Sequence, residues 1–182
     1  VHSPGHSHDH MCFILEEEQA MFTGDNVLGH GTAAVELLST WMDTLTQMQS
    51  YECTVGYPAH GCVIADLKGK IATELAQKVR RERRVCQTLE QIKQNEQRVS
   101  GGCGKGSVTV KQLVETMHGN LAEEVRQRAL EPFTEEVLRK LAEDGSVGFE
   151  IRGGVKKWFS VSIVEVTPYA RSEEHTSELQ SP

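Results

Sequence analysis

The sequence predicts an α+β chain in two parts. Short strands and long helices fill residues 1–97, a glycine-rich break occupies 98–107, and a small module of helices and a hairpin follows over 108–165. Three observations carry this reading. Apolar runs of four or five residues ending in glycine turns alternate with stretches in which apolar residues recur every three or four positions. The periodicity stops at Ser100-Gly101-Gly102-Cys103-Gly104-Lys105-Gly106-Ser107, which has the composition of a flexible linker. Helical spacing then returns with cap residues and closes on two strand-like runs.

At 182 residues the chain can bury a core of one domain or two small ones. A net charge of −7 does not draw it to nucleic acid or anionic membrane through its overall field. No apolar run approaches the roughly 20 residues that cross a bilayer. The five cysteines, Cys12, Cys53, Cys62, Cys86 and Cys103, are odd in number and lack Cys-x-x-Cys spacing. They argue against a disulfide framework or a cysteine zinc knuckle and for a reducing, cytoplasmic setting, with an N-terminal targeting signal left open.

In chain order, Pro4-Gly5-His6 is a tight turn that projects an imidazole from a strand end. Met11 to Leu15 reads as a buried strand, Glu16-Glu17-Glu18 as a solvated turn, and Ala20 to Thr23 as a second strand delivering Gly24-Asp25. A lone histidine or aspartate beside a glycine is ordinarily a turn former or cap, so each is weak alone. From Asn26 to Thr32 runs a glycine-rich loop containing His30, a candidate substrate contact. Leu38, Trp41, Met42, Leu45 and Met48 fall at helical spacing within an amphipathic helix over 33–48, and the stripe is core. Cys53 to Tyr57 is a third strand, ending in the turn Tyr57-Pro58-Ala59-His60-Gly61. Cys62 beside it reads as a small buried apolar residue.

A long helix follows from about Asp66 to Glu96, with Leu67, Ile71, Leu75 and Val79 every four residues. Its basic cluster, Lys78 to Arg84, is a solvated face or else a contact for a phosphate-bearing partner such as RNA or a phosphopantetheine arm. The glycine-rich break lacks the Gly-x-x-x-x-Gly-Lys-Ser/Thr spacing of a phosphate loop. In the module, Thr109 caps a helix with Leu113, Val114 and Met117, and Asn120 caps a second with Val125 and Leu130. Pro132 opens a third with Val137, Leu138 and Leu141. Strands at Val147–Ile151 and Trp158–Val161 then flank a turn over 152–157. This is the outline of a winged helix. Its third helix, with five acids over 131–144 against Arg139 and Lys140, repels DNA phosphates, which favours a packing or substrate-gating role.

Taken together, Ser3-Pro4-Gly5-His6, Thr23-Gly24-Asp25 and Pro58-Ala59-His60-Gly61 resemble the second half of the metallo-β-lactamase superfamily, an αββα sandwich. With the winged helix, the chain resembles β-lactamase-like hydrolases that carry that extra module. The run Phe22-Thr23-Gly24-Asp25-Asn26-Val27-Leu28-Gly29-His30-Gly31 resembles fungal polyketide thioesterases of the metallo-β-lactamase type. The resemblance implies His6, Asp25 and His60 as ligands of one or two zinc or manganese ions, with Asp25 bridging them and orienting water. It implies a metal-activated water attacking a carbonyl or phosphorus centre. Thioester hydrolysis of a small-molecule or carrier-bound acyl substrate in secondary metabolism leads, and an endoribonuclease is the second enzyme reading.

The His-x-His-x-Asp-His motif of that family is absent; His6-Ser7-His8-Asp9-His10 is one residue short of it. His8 is expected to be exposed, and Asp9 and His10 to support the ligands or the turn. The chain starts on Val1 in mid-fold and reads as a fragment of a longer enzyme. By itself it is expected to be inactive, acting at most through the winged helix and exposing an apolar sheet face. Residues 171–182 lack apolar periodicity and resemble a translated sequencing adapter, so His175 is given no role.

Overall fold

The computed structural model describes residues 1–102 and 104–161. Cys103, the end of the C-terminal module beyond residue 161 and the 171–182 tail lie outside the described residues.

A three-stranded sheet opens the fold, in the order β1 (Phe13–Leu15), β2 (Ala20–Gly24), β3 (Val55–Pro58). β1 runs antiparallel to β2, and β2 runs parallel to β3 with a register shift between Phe22 and Gly24. A parallel pair needs a crossover, and α1 (Leu38–Ser50) supplies it. The parallel arrangement is what matters for function, because Asp25 and His60 both follow the C-terminal ends of adjacent strands. That is the edge at which open α/β sheets place their ligands.

The first strand is shorter and more open than its apolar run predicts. Met11 pairs with His2 only as an isolated bridge, and Phe13 is 64% exposed. The run alternates, with Cys12 turned inward, because only one face of this sheet packs on the core. The other face carries the Phe13 and Phe22 pair, with the Phe22 and Tyr57 rings 5.3 Å apart.

The first helix begins five residues later than its periodicity suggests, at Leu38 rather than Ala33. The reason is tertiary: the N–H groups of Glu36 and Leu37 both donate to the Gly5 carbonyl, so this segment is committed to holding the His6 turn. Leu38, Trp41, Leu45 and Met48 are buried as the stripe requires.

Helix α2 (Leu67–Ser100) opens on the Asp66 side chain, which accepts from Gly69 N–H at 2.9 Å, and ends where Gly101 turns left-handed at φ 75°. It is the spine of the molecule, packing against α1, α3 (Val110–His118), α5 (Glu131–Glu143) and β5 (Val155–Ser160). One hydrophobic cluster therefore takes in Trp41 and Ile71 from before the glycine-rich segment and Leu113, Leu138 and Trp158 from after it. That segment is itself tied down: Glu96 accepts from Gly106 N–H, and Ser107 donates to Glu150 at 2.7 Å.

Thr109 caps α3 in a reciprocal capping box with Gln112. Asn120 caps nothing. The next helix, α4 (Glu123–Val125), starts after Ala122 and runs through a π-helical turn over Arg126–Leu130 into α5. The two expected helices are thus one continuous rod, since a wider turn just ahead of Pro132 accommodates its missing N–H. The hairpin of β4 (Val147–Arg152) and β5 closes on Gly153-Gly154 alone, both at positive φ. Its strands are therefore longer than a six-residue turn allows. Among the described residues no helix is long and apolar enough to cross a membrane.

Gly5 sits at φ 137°, and a Cβ there would lie 2.5 Å from Cα and Cβ of Trp41. Gly5→Ala is expected to cost about 3 kcal/mol through combined strain and overpacking. Trp41→Phe, which leaves the backbone undisturbed but strands the Asn26 carbonyl, should cost about 1–3 kcal/mol. Urea midpoints at unchanged m-value measure both, and equal stability of Gly5→Ala and wild type would refute the packing argument.

Candidate metal centre

Three turns meet at the C-terminal edge of the sheet. The His6 turn is held from three sides: His6 N–H donates to Asn26 Oδ1 at 3.2 Å, Gly5 O takes the two donors before α1, and Thr44 Oγ1 donates to Pro4 O at 2.6 Å. The ring is fixed as well, because Nδ1 lies 2.8 Å from the Ala34 carbonyl. A carbonyl only accepts, so the Nδ1 proton is spoken for and the Nε2 lone pair is free.

Asp25 leaves β2 after Gly24, and His60 leaves β3 after Pro58. The loops behind them run side by side, with Gly29 N–H donating to His60 O at 2.9 Å. A Cβ on Gly29 would meet the Cys62 backbone at 2.0 Å, so glycine alone permits the approach. His6 Nε2 faces Asp25 Oδ2 at 3.9 Å, and His60 Nε2 faces the other oxygen, Oδ1, at 3.6 Å.

Neither separation is a hydrogen bond. Both approach the roughly 3.3 Å that separates two donors sharing a tetrahedral ion with bonds near 2.0–2.1 Å. Two imidazoles and a carboxylate suit zinc or manganese chemically. Each carboxylate oxygen addressing a different imidazole is what a bridging carboxylate needs. The set is nonetheless open: among the described residues, no group of three or more His, Cys, Asp or Glu side chains is arranged to hold an ion.

His10 plays a part that its position in a His-rich turn only hinted at. Its Nε2 lies 3.1 Å from the backbone N of Asp25. An amide N–H can only donate, so Nε2 accepts, while Nδ1 lies 2.9 Å from Ser3 Oγ and 3.1 Å from Asn26 Nδ2. Burial and the nearby His6 push the His10 pKa below its ordinary value, which keeps the ring neutral as this contact requires. Gly24 must be glycine here, since a Cβ would lie 2.5 Å from His10 Nε2.

The remaining candidates fall outside this trio. His8 is exposed, and Asp9 is exposed and accepts from Ser7 Oγ at 2.8 Å. His30 is exposed on the loop beside Gly61, with no side-chain bond to His6, Asp25 or His60. Cys62, expected to be buried, is exposed, because the turn after Gly61 carries it away from the sheet. The residue that sequence reasoning passed over is Asn26, fully buried, whose Nδ2 donates to Ser3 O at 2.6 Å and whose carbonyl takes Trp41 Nε1. A polar residue directly after Gly-Asp was its one available signal.

No protein-family model matches the chain. It is 71% identical over 162 residues to an atrochrysone carboxyl ACP thioesterase of Cryptosporiopsis sp., covering 88% of this chain and 50% of that protein. It is 68% identical to an Aspergillus fumigatus protein of the same name, covering 88% of this chain and 38% of that one. A lactamase-like protein of Aspergillus sp. is 65% identical over 88% of this chain and 50% of its own length. The chain thus spans about half the length, or less, of these relatives. Among solved structures, a metallo-beta-lactamase family protein of Thermus thermophilus superposes with a TM-score of 0.63 at 22% identity, over 88% of this chain and 48% of that one. A beta-lactamase domain protein of Burkholderia ambifaria gives 0.67 at 18% identity, over 86% and 46%. By sequence the chain is a homologue of the fungal proteins named atrochrysone carboxyl ACP thioesterase and lactamase-like protein, and over the matched part it has the fold of metallo-β-lactamase proteins.

Proposed function

We propose that this chain carries one side of the metal centre of a hydrolase that cleaves acyl thioesters on a carrier protein in fungal polyketide metabolism. The observation that carries the reading is the Asp25 carboxylate, whose two oxygens face His6 and His60 separately at 3.9 and 3.6 Å. The relatives' names supply the substrate class, an ACP-bound carboxyl thioester. An ion held there, zinc or manganese, supplies the Lewis acidity that makes hydroxide available near neutral pH.

The chain's own residues provide the geometry. The Ala34 carbonyl sets the His6 tautomer, and His10 holds the Asp25 backbone from behind. With His6 and His60, the Asp25 carboxylate would hold the ions and orient the water they activate. Three donors do not fill two sites of four ligands each, so the 182-residue chain alone should bind zinc weakly. We further read residues 1–97 as the hydrolase part, 98–107 as the connection, and 108–165 as a winged-helix module. The acidic α5 argues against DNA contact by that module and for a packing or gating role. The free Cys12, Cys53, Cys62 and Cys86 suit a reducing cytoplasm.

In the complete protein, Asp25→Ala should lower hydrolysis of an acyl-carrier thioester by about a thousandfold. Chelation should abolish it, and added zinc or manganese should restore it. A variant or chelated enzyme that keeps its rate would refute the centre, and RNA turnover exceeding thioester turnover would refute the substrate class. His10→Ala should lower kcat or metal affinity about 10–100-fold, as losing a ligand-supporting hydrogen bond does. Unchanged values in a folded His10→Ala protein would remove it from the centre.

A further inference from the structure

A well-formed hollow lies away from the metal centre. A cavity of about 480 Å³ opens between α2, α3, the π-helical turn and α5, a volume typical of small-molecule sites. Its rim holds Arg80, Arg81, Arg84 and His118, and its floor is apolar, with Val85, Leu130 and Val137.

Among the described residues no ion pair neutralises the positive charges at this rim. Nearby acids are engaged elsewhere: Glu115, Glu123 and Glu131 face Arg126, Glu82 pairs with Lys140, and Glu136 with Arg139. Among the described residues Arg80 and Arg81 form no ion pair. Arg81 lies over the Phe133 ring at 4.0 Å, which fixes its plane and leaves its N–H edge free. Arg84 donates to the Met117 carbonyl, anchoring a second guanidinium at the mouth. Burial first, and then the charges of Arg84 and Arg81, press the His118 pKa down, an independent sign of crowded positive charge.

An apolar floor under a fork of arginines selects a small ligand with one phosphate group and an uncharged stem. A polyanion fits less well. Glu124 and Glu135 on the adjoining rod would repel successive phosphates, and the Phe133 face that could stack a base is covered by Arg81. Helix α2 also links the cavity to the centre: Lys70 Nζ donates to the Gly31 carbonyl beside the His30 and His60 loops at 3.0 Å. Arg81, eleven residues on, lies about 16 Å along the helix at 1.5 Å per residue, a separation of the order an extended pantetheine arm spans.

We propose that this cavity binds the phosphopantetheine arm of the thioester substrate, with its phosphate on Arg80 and Arg81 and its stem along the apolar floor. The inference rests on the thioesterase reading for its ligand. The arm is common to acyl carriers and coenzyme A, so the recognition chemistry is shared by both.

Calorimetric titration of the 182-residue chain with 4′-phosphopantetheine tests it. Binding is expected, with pantetheine lacking the phosphate about tenfold weaker or more, and with Arg80→Gln and Arg81→Gln each weakening the arm by about tenfold. Arg83→Gln removes the same charge outside the cavity and should leave affinity unchanged. Holo-carrier binding more tightly than coenzyme A would identify the carrier as source, and equal binding would identify the free thioester; both support the site. Absence of binding, equal affinity for pantetheine, an Arg83→Gln effect as large as that of Arg81→Gln, or tighter binding of an oligoribonucleotide would overturn it. Binding should survive Asp25→Ala and chelation. If the complete protein hydrolyses the thioester with a KM indifferent to Arg81→Gln, the cavity assignment fails and the hydrolase stands. If the arm binds through the arginines and no thioester is cleaved, the hydrolase reading fails instead.

Discussion

One buried amide sets the geometry of the whole metal-facing edge. Asn26 has no exposed surface, and every polar group it brings into the core finds a partner: Oδ1 on His6 N–H, Nδ2 on Ser3 O, and its carbonyl on Trp41 Nε1. Leaving any of these unpaired would cost on the order of 1–3 kcal/mol. The first turn, the end of β2 and helix α1 therefore cannot shift independently. His6 is placed relative to Asp25 because both hang from the same side chain's neighbourhood, and the two glycines that flank the arrangement admit no Cβ.

The parts of this design that were legible in the sequence are the local ones. Strand ends marked by glycine turns, the apolar stripe through Trp41 and Leu45, and the Asp66 and Thr109 caps each follow from residues a few positions apart. The parts that were not legible are set by distant partners. The periodicity of 33–48 could not reveal that Glu36 and Leu37 would spend their N–H groups on Gly5. The spacing around Asn120 and Pro132 suggested two helices, yet a π-helical turn joins them. His10 could be placed near the site, but its contact with the Asp25 backbone depends on two turns meeting in space.

Electrostatics in this chain are local, and the net charge hides them. An overall −7 predicts indifference to anions at long range, since surface charges beyond about 8–10 Å are screened at ordinary salt. Locally the balance reverses, because Arg126 and Arg139 take up carboxylates of the rod, Lys140 takes up Glu82 of α2, and among the described residues Arg80 and Arg81 keep no acidic partner. A chain that is acidic overall can thus keep a locally basic face.

The two histidines beside Asp25 differ in how far they are prepared. His6 is one-third exposed, and both its backbone and its Nδ1 are fixed by hydrogen bonds. His60 is 68% exposed, and among the described residues its ring has Asp25 as its only polar neighbour. Ordering a free side chain on an ion costs rotamer entropy that a fixed one has already lost in folding. His6 would therefore hold an ion beside Asp25 at a lower entropic cost than His60 would. The asymmetry between the two imidazoles originates in a single carbonyl, that of Ala34, four residues before the helix that the first turn helps to start.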